Sequence, residues 1–528
     1  MPRFLPLPKS GFKRWLALGG YVLAGLVLFI VTLGVSVYFA FQKSSAFQGW
    51  VFSKMMPSEP LPERASYHGF SPQASSVQTA ADIFRPTNIW TIHFHFTAAE
   101  YAALGPNRIP MAQLQSEGDT GPMLSNPNAQ RNGVAGMLGF EFPWSTGSVE
   151  IGGRFFTNAG VRFKGNGTFL GGLSTYKKPL KIDLDRQVKG QDLGGRTILN
   201  LGNLSADFTC LSDALAYEFF RDAGVAAPRT AYARVFHTIE GRNDAQNRLL
   251  GLYAMIENPD ARWAAEVFGT KGVALFKPVT TLSFTDLGKD WTNYHRTYDP
   301  KTKVNAAQQQ RVMDFAQLVS HGTDAEFNTR LGEFLDLDQT ARFLACEVML
   351  ANYDGILAQG QNYLVSLDPR SNRFGFVPWD LDHSWGEFPL LGKAEQREQS
   401  SIEHPWVSHN PLLERLWAQP EFATKYHAEL RRLLDTLFVP ARLERRIDEL
   451  AAVIRPAVAE MPPLRVERFE RAISSDVGSE DRDPPGRGPM DSNRPAWQLK
   501  RFIRARAAHV RRQLAGEEKG MTPPRMKF

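Results

Sequence analysis

The chain has 528 residues, 43% of them hydrophobic, 11% aromatic and 22% charged, which argues against a disordered or low-complexity protein. A net charge of +6, dispersed along the chain, is too mild for a nucleic-acid footprint. Only Cys210 and Cys346 are present, each inside an apolar pattern, so there is no disulfide framework and both are expected to pack.

Residues 1–14 carry Arg3, Lys9, Lys13 and Arg14, and the uncharged run 15–41 follows. A helix needs about 20 apolar residues to cross a bilayer, and a cleaved signal has an apolar region of about 7–15, so the run reads as an uncleaved single-pass anchor. The basic flank predicts a cytoplasmic N-terminus and a main domain outside the cytoplasm, in the periplasm or at the cell exterior. Residues 42–85 read as a linker. In Asn88–Thr97, Ile92, Phe94 and Phe96 alternate on one strand face, while His93 and His95 fall on the other as a solvated face. The Gly-, Pro- and Asn-rich span 105–145 reads as a surface insertion within a strand-rich unit, 86–280.

Within that unit, VEIGGRFF and NAGVRFKGNGT read as a hairpin and YKKPLKIDLD as a further strand. The connection containing Gly165, Asn166 and Gly167 lacks Cβ obstruction at its glycines, so its backbone N–H groups could approach a phosphate, although most such loops are only turns. Cys210–Gly224 is an amphipathic helix with a glycine cap. Glu218 falls inside its apolar stripe, where a carboxylate either reaches water at the stripe's edge or needs a cation; if it is paired, Lys181 and Lys178 are the candidates, and the sequence leaves open which points into a site. Thr230–Phe236 and Leu249–Glu257 are further strands.

Residues 281–473 read as predominantly helical, interrupted by the stretch 352–386. There an apolar helix ends at Asn352-Tyr353-Asp354-Gly355, Asn362 follows, and two strand-like runs lead to Asp380-Leu381-Asp382. Carboxylates and an amide at the ends of elements, combined with a strand lysine and a Gly-rich hairpin, are the parts phosphoryl transfer requires. Their order matches that of protein kinases, with Asn-Tyr-Asp where His-Arg-Asp would stand and Asp-Leu-Asp where Asp-Phe-Gly would stand. Residues 474–494 read as a flexible loop, 495–515 as a basic amphipathic helix packed on the helical lobe, and 516–528 as a disordered tail.

Taken in order, VRFKGNGT, KKPLKIDL, LSDALAYEFFRDAGVAAPRTAYARV, GLYAMIE, NYDG, QNYL and FVPWDLDHSWG resemble the CotH (spore-coat protein H) kinase family over about 148–455. The resemblance implies an α+β, two-lobed, atypical protein-kinase-like fold, with a sheet-rich small lobe and a helical large lobe. It further implies ATP and Mg²⁺ or Mn²⁺ as cofactors and Ser or Thr of a protein as acceptor. By the same resemblance, Asp354 is the catalytic Asp, and Asn362, Asp380 and Asp382 are metal ligands. Lys181 contacts phosphate with Glu218 as its ion-pair partner, and Gly165, Asn166, Gly167, Lys178 and Glu257 line the nucleotide, Glu257 from an edge strand. GNGT stands where the family more usually has a GNSS-like stretch. A non-catalytic envelope or coat-assembly protein keeping this fold is the competing expectation.

Overall fold

A computed structural model describes residues 61–109, 131–172, 175–280, 282–358, 360–407, 409–474 and 497–523, together with Ser36. The expected anchor 15–41 and loop 474–494 lie almost wholly outside these residues. Among the described residues no helix is long and apolar enough to cross a membrane.

The alternation read in Asn88–Thr97 forms β1 (Ile89–Phe96), with Ile92, Phe94 and Phe96 buried. A short ribbon, β2 (Asn107–Arg108) with β3 (Phe140–Glu141), closes the described ends of the insertion. Then come β4 (Ser145–Ile151), β5 (Arg154–Phe163), β6 (Leu180–Asp183), β7 (Ile198–Gly202), β8 (Thr230–Ile239) and β9 (Arg248–Glu257). Seven of these strands form a closed barrel in the order β1-β4-β5-β6-β7-β9-β8. Every pairing is antiparallel except β1 with β8, which run parallel and shut the barrel. The small lobe is therefore strand-rich as expected, but closed rather than an open sheet.

The strands β8 and β9 read as nearly continuous apolar runs because both their faces are covered. Ala231, Ala233, Val235, Tyr253 and Met255 fill the barrel interior. Tyr232, Leu252, Ala254 and Ile256 turn outward into a second, larger core shared with the helices. That larger core takes in α2 (Ser212–Asp222), whose Ala214, Leu215, Tyr217, Phe219 and Phe220 are buried in it; the one-turn α1 (Gly167–Gly171) precedes α2 in the chain. Gly224 follows α2 in the left-handed conformation (φ +86°) that ends the helix.

Beyond the barrel, α3 (Ala261–Phe268) leads to a four-stranded sheet ordered β11-β10-β12-β13, built from β10 (Ala274–Pro278), β11 (Tyr298–Pro300), β12 (Tyr363–Asp368) and β13 (Arg373–Pro378). This sheet joins β10, from the 86–280 stretch, to strands of the 352–386 stretch. Helices α4 (Ala306–His321), α5 (Asp324–Phe334), α6 (Leu337–Met349), α7 (Pro411–Ala418), α8 (Pro420–Thr436), α9 (Pro440–Val458) and α10 (Pro463–Ile473) make the large lobe. The basic helix α11 (Leu499–Leu514) packs on it: Phe502, Ile503 and Val510 are buried, and Lys500 and Arg504 reach Asp448 and Glu444 on α9. Cys210 and Cys346 are buried, reduced thiols in the larger core.

Candidate active site

The acidic half of the site is held by α2. In its first turn Asp213 accepts a hydrogen bond from Leu381 N (3.0 Å), and one turn on Tyr217 Oη accepts one from Asp380 N (2.9 Å). Trp385 Nε1 donates to Ser212 O (3.3 Å). Two bonds to one helix thus fix the Asp-Leu-Asp turn, and the third fixes Trp385 just beyond it; the turn leaves β13 with Asp380 at φ +56°, a left-handed conformation that Asp tolerates better than most residues. Asn362 opens β12 in the same region (φ +60°) and donates from Nδ2 to Asp354 Oδ2 (2.8 Å). The sequence-predicted Asp354, Asn362, Asp380 and Asp382 are therefore brought together.

Asp354, Asp382 and His383 each offer one ligand atom within 4.8 Å of the others, the single such group among the described residues. Burial raises Asp354 to about 8, eased by His383 and increased by Asp382, Asp380 and Glu387. Asp382 is pushed up to about 7 by burial, again eased by His383 and increased by Asp380, Asp207 and Glu387. Asp213, fully enclosed, is held well above the carboxylate range by burial and by Asp382 and Asp380. Burial alone would lower His383, but Glu387, which bonds its Nδ1, together with Asp382 and Asp354, drives it up to about 10. A concentration of carboxyls that strain one another in this way, with an amide oxygen beside them, fits a hard divalent cation.

The cationic half comes from four elements. Lys181 points outward from β6, whose Leu180 and Ile182 fill the barrel, and donates to Asn258 Oδ1 (3.2 Å). Burial lowers it to about 7, helped by Arg162, Lys164 and Lys301. Lys277 on β10 is lowered to about 8 by burial, against the attraction of Asp380, with Lys301 and Lys164 lowering it further. Lys164 also lies over the Trp379 ring (5.8 Å to its centroid). Lys181 and Lys277, each buried and each repelled by Lys164 and by Lys301 (itself paired with Asp299), with Lys277 drawn to Asp380, make a cationic group suited to a polyanion. Lys277, Lys164, Lys301, Asp213 and His383 escaped the sequence reading. Lys277 could have been flagged as a charge inside the strand GVALFKPV; for Asp213, an acid in a helix's first turn is too ordinary to signal anything.

Three sequence expectations are corrected here. Glu218 does not meet Lys181 or Lys178: it forms a two-pronged pair with Arg446 of α9 (2.8 and 2.9 Å), because its edge of the stripe faces the large lobe. Glu257 ends β9, which is flanked by β7 and β8 and is no edge strand; its fully buried carboxylate is neutralised by Arg196 (2.8 Å) and Arg229 (2.7 Å). Lys178 shares the barrel-facing side with Leu180 and Ile182, donates to Thr175 O, and lies 5.6 Å from the Phe163 ring centroid. Burial lowers it to about 8 without any contribution from the acidic cluster. In the Gly-rich connection, Gly165 has φ +81°, and an added Cβ would meet Thr168 Oγ1 at 2.7 Å. Gly167 begins α1, and Asn166 Oδ1 accepts from Arg131 Nη2 and Ala135 N (both 3.3 Å), tying the connection to the end of the insertion. On the barrel exterior, His93 and His95 stack at 4.1 Å.

A family model described as CotH kinase protein matches residues 161–510. Inner spore coat protein H of Bacillus subtilis (strain 168) is 25% identical over 271 residues, covering 50% of this chain and 70% of that protein. The matched span contains every acid and lysine of the site just described.

Proposed function

Because the chain belongs to the CotH kinase family, we propose that it is an ATP-dependent protein kinase that transfers the γ-phosphoryl group to Ser or Thr hydroxyls. The observation that carries this reading is a lysine group that reaches the acidic cluster. Asp354 and Asp382 converge, with Asn362 bonded to Asp354, while Lys277 lies within electrostatic reach of Asp380, and Lys164 and Lys301 act on both Lys277 and Lys181. Asp380, Asp382 and Asn362 would hold Mg²⁺ or Mn²⁺, which when bound supplies charge neutralisation to the phosphates. The lysines bind the same phosphates, and the ones lowered to 7–8 regain full charge beside a polyanion. Asp354 is the group that orients the acceptor hydroxyl and accepts its proton on a carboxylate oxygen, with Asn362 fixing the other oxygen. Asp213 and Tyr217 hold the metal-side turn from behind and touch no reactant.

The reading extends to topology: the uncharged run 15–41 anchors the domain, which faces away from the cytoplasm. Protease added to spheroplasts, with the outer layers removed and the inner membrane intact, should then cleave the domain; full protection there would remove this part. For the site itself, Asp380→Asn should abolish metal-dependent nucleotide binding while circular dichroism stays that of a folded protein. Unchanged nucleotide affinity in that variant would overturn the assignment of Asp380.

A further inference from the structure

Beneath the turn that carries Asp354 lies a carboxyl that the reading above leaves unused. Glu347 sits near the end of α6, fully buried, and Asn352 beyond it is fully buried too. Neither oxygen of Glu347 and neither side-chain polar atom of Asn352 finds a hydrogen-bond partner of ordinary geometry. Yet both side chains converge on one backbone position. A Cβ added at Gly355 would come within 2.9 Å of Asn352 Nδ2 and 3.0 Å of Glu347 Oε2. Burial drives Glu347 up to about 8, with the Asn352 amide the one group acting against it, so at neutral pH it stands chiefly as the neutral acid.

A neutral carboxyl offers one O–H donor and one carbonyl acceptor, and a carboxamide offers the complementary acceptor and donor. The two orphaned groups therefore match each other. The turn is tied outward by Asn362 Nδ2 to Asp354 (2.8 Å), and by the chain of Gly360 N to Gly355 O and Thr280 N to Gly360 O (each 3.0 Å). On its inner side the turn is held by the Asn352 N to Glu347 O backbone bond (3.0 Å) and by Tyr353, Ile356 and Leu357 packed in the larger core, and the acid and the amide meet beneath Gly355. Burying a carboxyl without a cation is costly, and an apolar residue would fill the same space more cheaply, so simple packing does not account for Glu347.

We propose that Glu347, acting through the side-chain amide of Asn352, is a positioning residue that sets the turn presenting Asp354. The proposal rests on the reading of Asp354 as the group that meets the acceptor hydroxyl. Its test uses the full chain carrying Glu347→Asp, which shortens the reach, and Glu347→Gln, which keeps the length and both a donor and an acceptor. Hydrogen exchange across residues 352–356 is measured alongside kcat and KM for ATP. Glu347→Asp should speed exchange in the turn by about tenfold while the amides of Ala341–Cys346 are unaffected. It should lower kcat by about tenfold with KM for ATP within about twofold, and Glu347→Gln should restore most of both. Exchange in the turn unchanged in Glu347→Asp, or raised equally throughout α6, would overturn the proposal. The exchange readout needs no phosphoryl transfer, so an inactive wild-type protein would count against the kinase reading and not against this one.

Discussion

Replacing Asp382 by Asn should stabilise the metal-free protein at alkaline pH, an unusual outcome for a residue at a functional centre. In the folded chain the Asp382 carboxyl titrates at about 7, against an ordinary 3.8. The unfolded chain thus loses this proton near pH 4 and the folded chain only near 7. Between these values the unfolded state binds fewer protons, so stability falls as pH rises through the window and the full penalty applies above about 7. Roughly 3 pH units at about 1.4 kcal/mol each give on the order of 4 kcal/mol, and partial solvent contact reduces this to on the order of 2 kcal/mol. Thermal unfolding of wild type and Asp382→Asn in a chelator should show a higher midpoint for the variant at pH 8 and coincident midpoints at pH 4. Adding Mn²⁺ should raise the wild-type midpoint at pH 8 and move the variant far less, since a cation relieves the same repulsion. A variant that is less stable than wild type at pH 8 without metal, or that keeps the full metal response, would refute the reasoning.

Lys277→Met should weaken ATP binding by about tenfold or more, the loss of one charge-assisted phosphate contact, whereas Lys178→Met should leave it within about twofold. Isothermal titration distinguishes the two. Glu218→Gln removes a partly exposed pair with Arg446 and should cost about 1 kcal/mol without changing nucleotide affinity. Glu257→Gln leaves Arg196 and Arg229 short of a buried counter-charge and should cost about 3–5 kcal/mol in chemical denaturation.

What the sequence made legible was local. The Asp354–Gly355 turn, Asn362 eight residues on and the Asp380-Leu381-Asp382 turn lie on one connected stretch, and their convergence follows from the β12–β13 pairing between them. The alternation in Asn88–Thr97 likewise gave β1 and its buried face. What stayed hidden depended on distant partners. Glu218 meets Arg446 at a sequence separation of 228, and no periodicity announces that pairing over one with Lys181. The resemblance placed Glu257 on an edge strand, but β9 pairs with β7 on one side and β8 on the other, and its own pattern does not show the partner β7 from some fifty residues earlier. Lys277 belongs to the site only because β10 pairs with β12 and so lies beside Asp380.

The central claim is phosphoryl transfer by this chain, and incubation of the full-length protein with γ-labelled ATP and Mg²⁺ or Mn²⁺ tests it most directly. The account predicts acid-stable label on Ser or Thr, of the chain itself or an added protein acceptor, lost in both Asp354→Asn and Asp380→Asn. No incorporation by the wild type with either metal, or equal incorporation by Asp354→Asn, would contradict it.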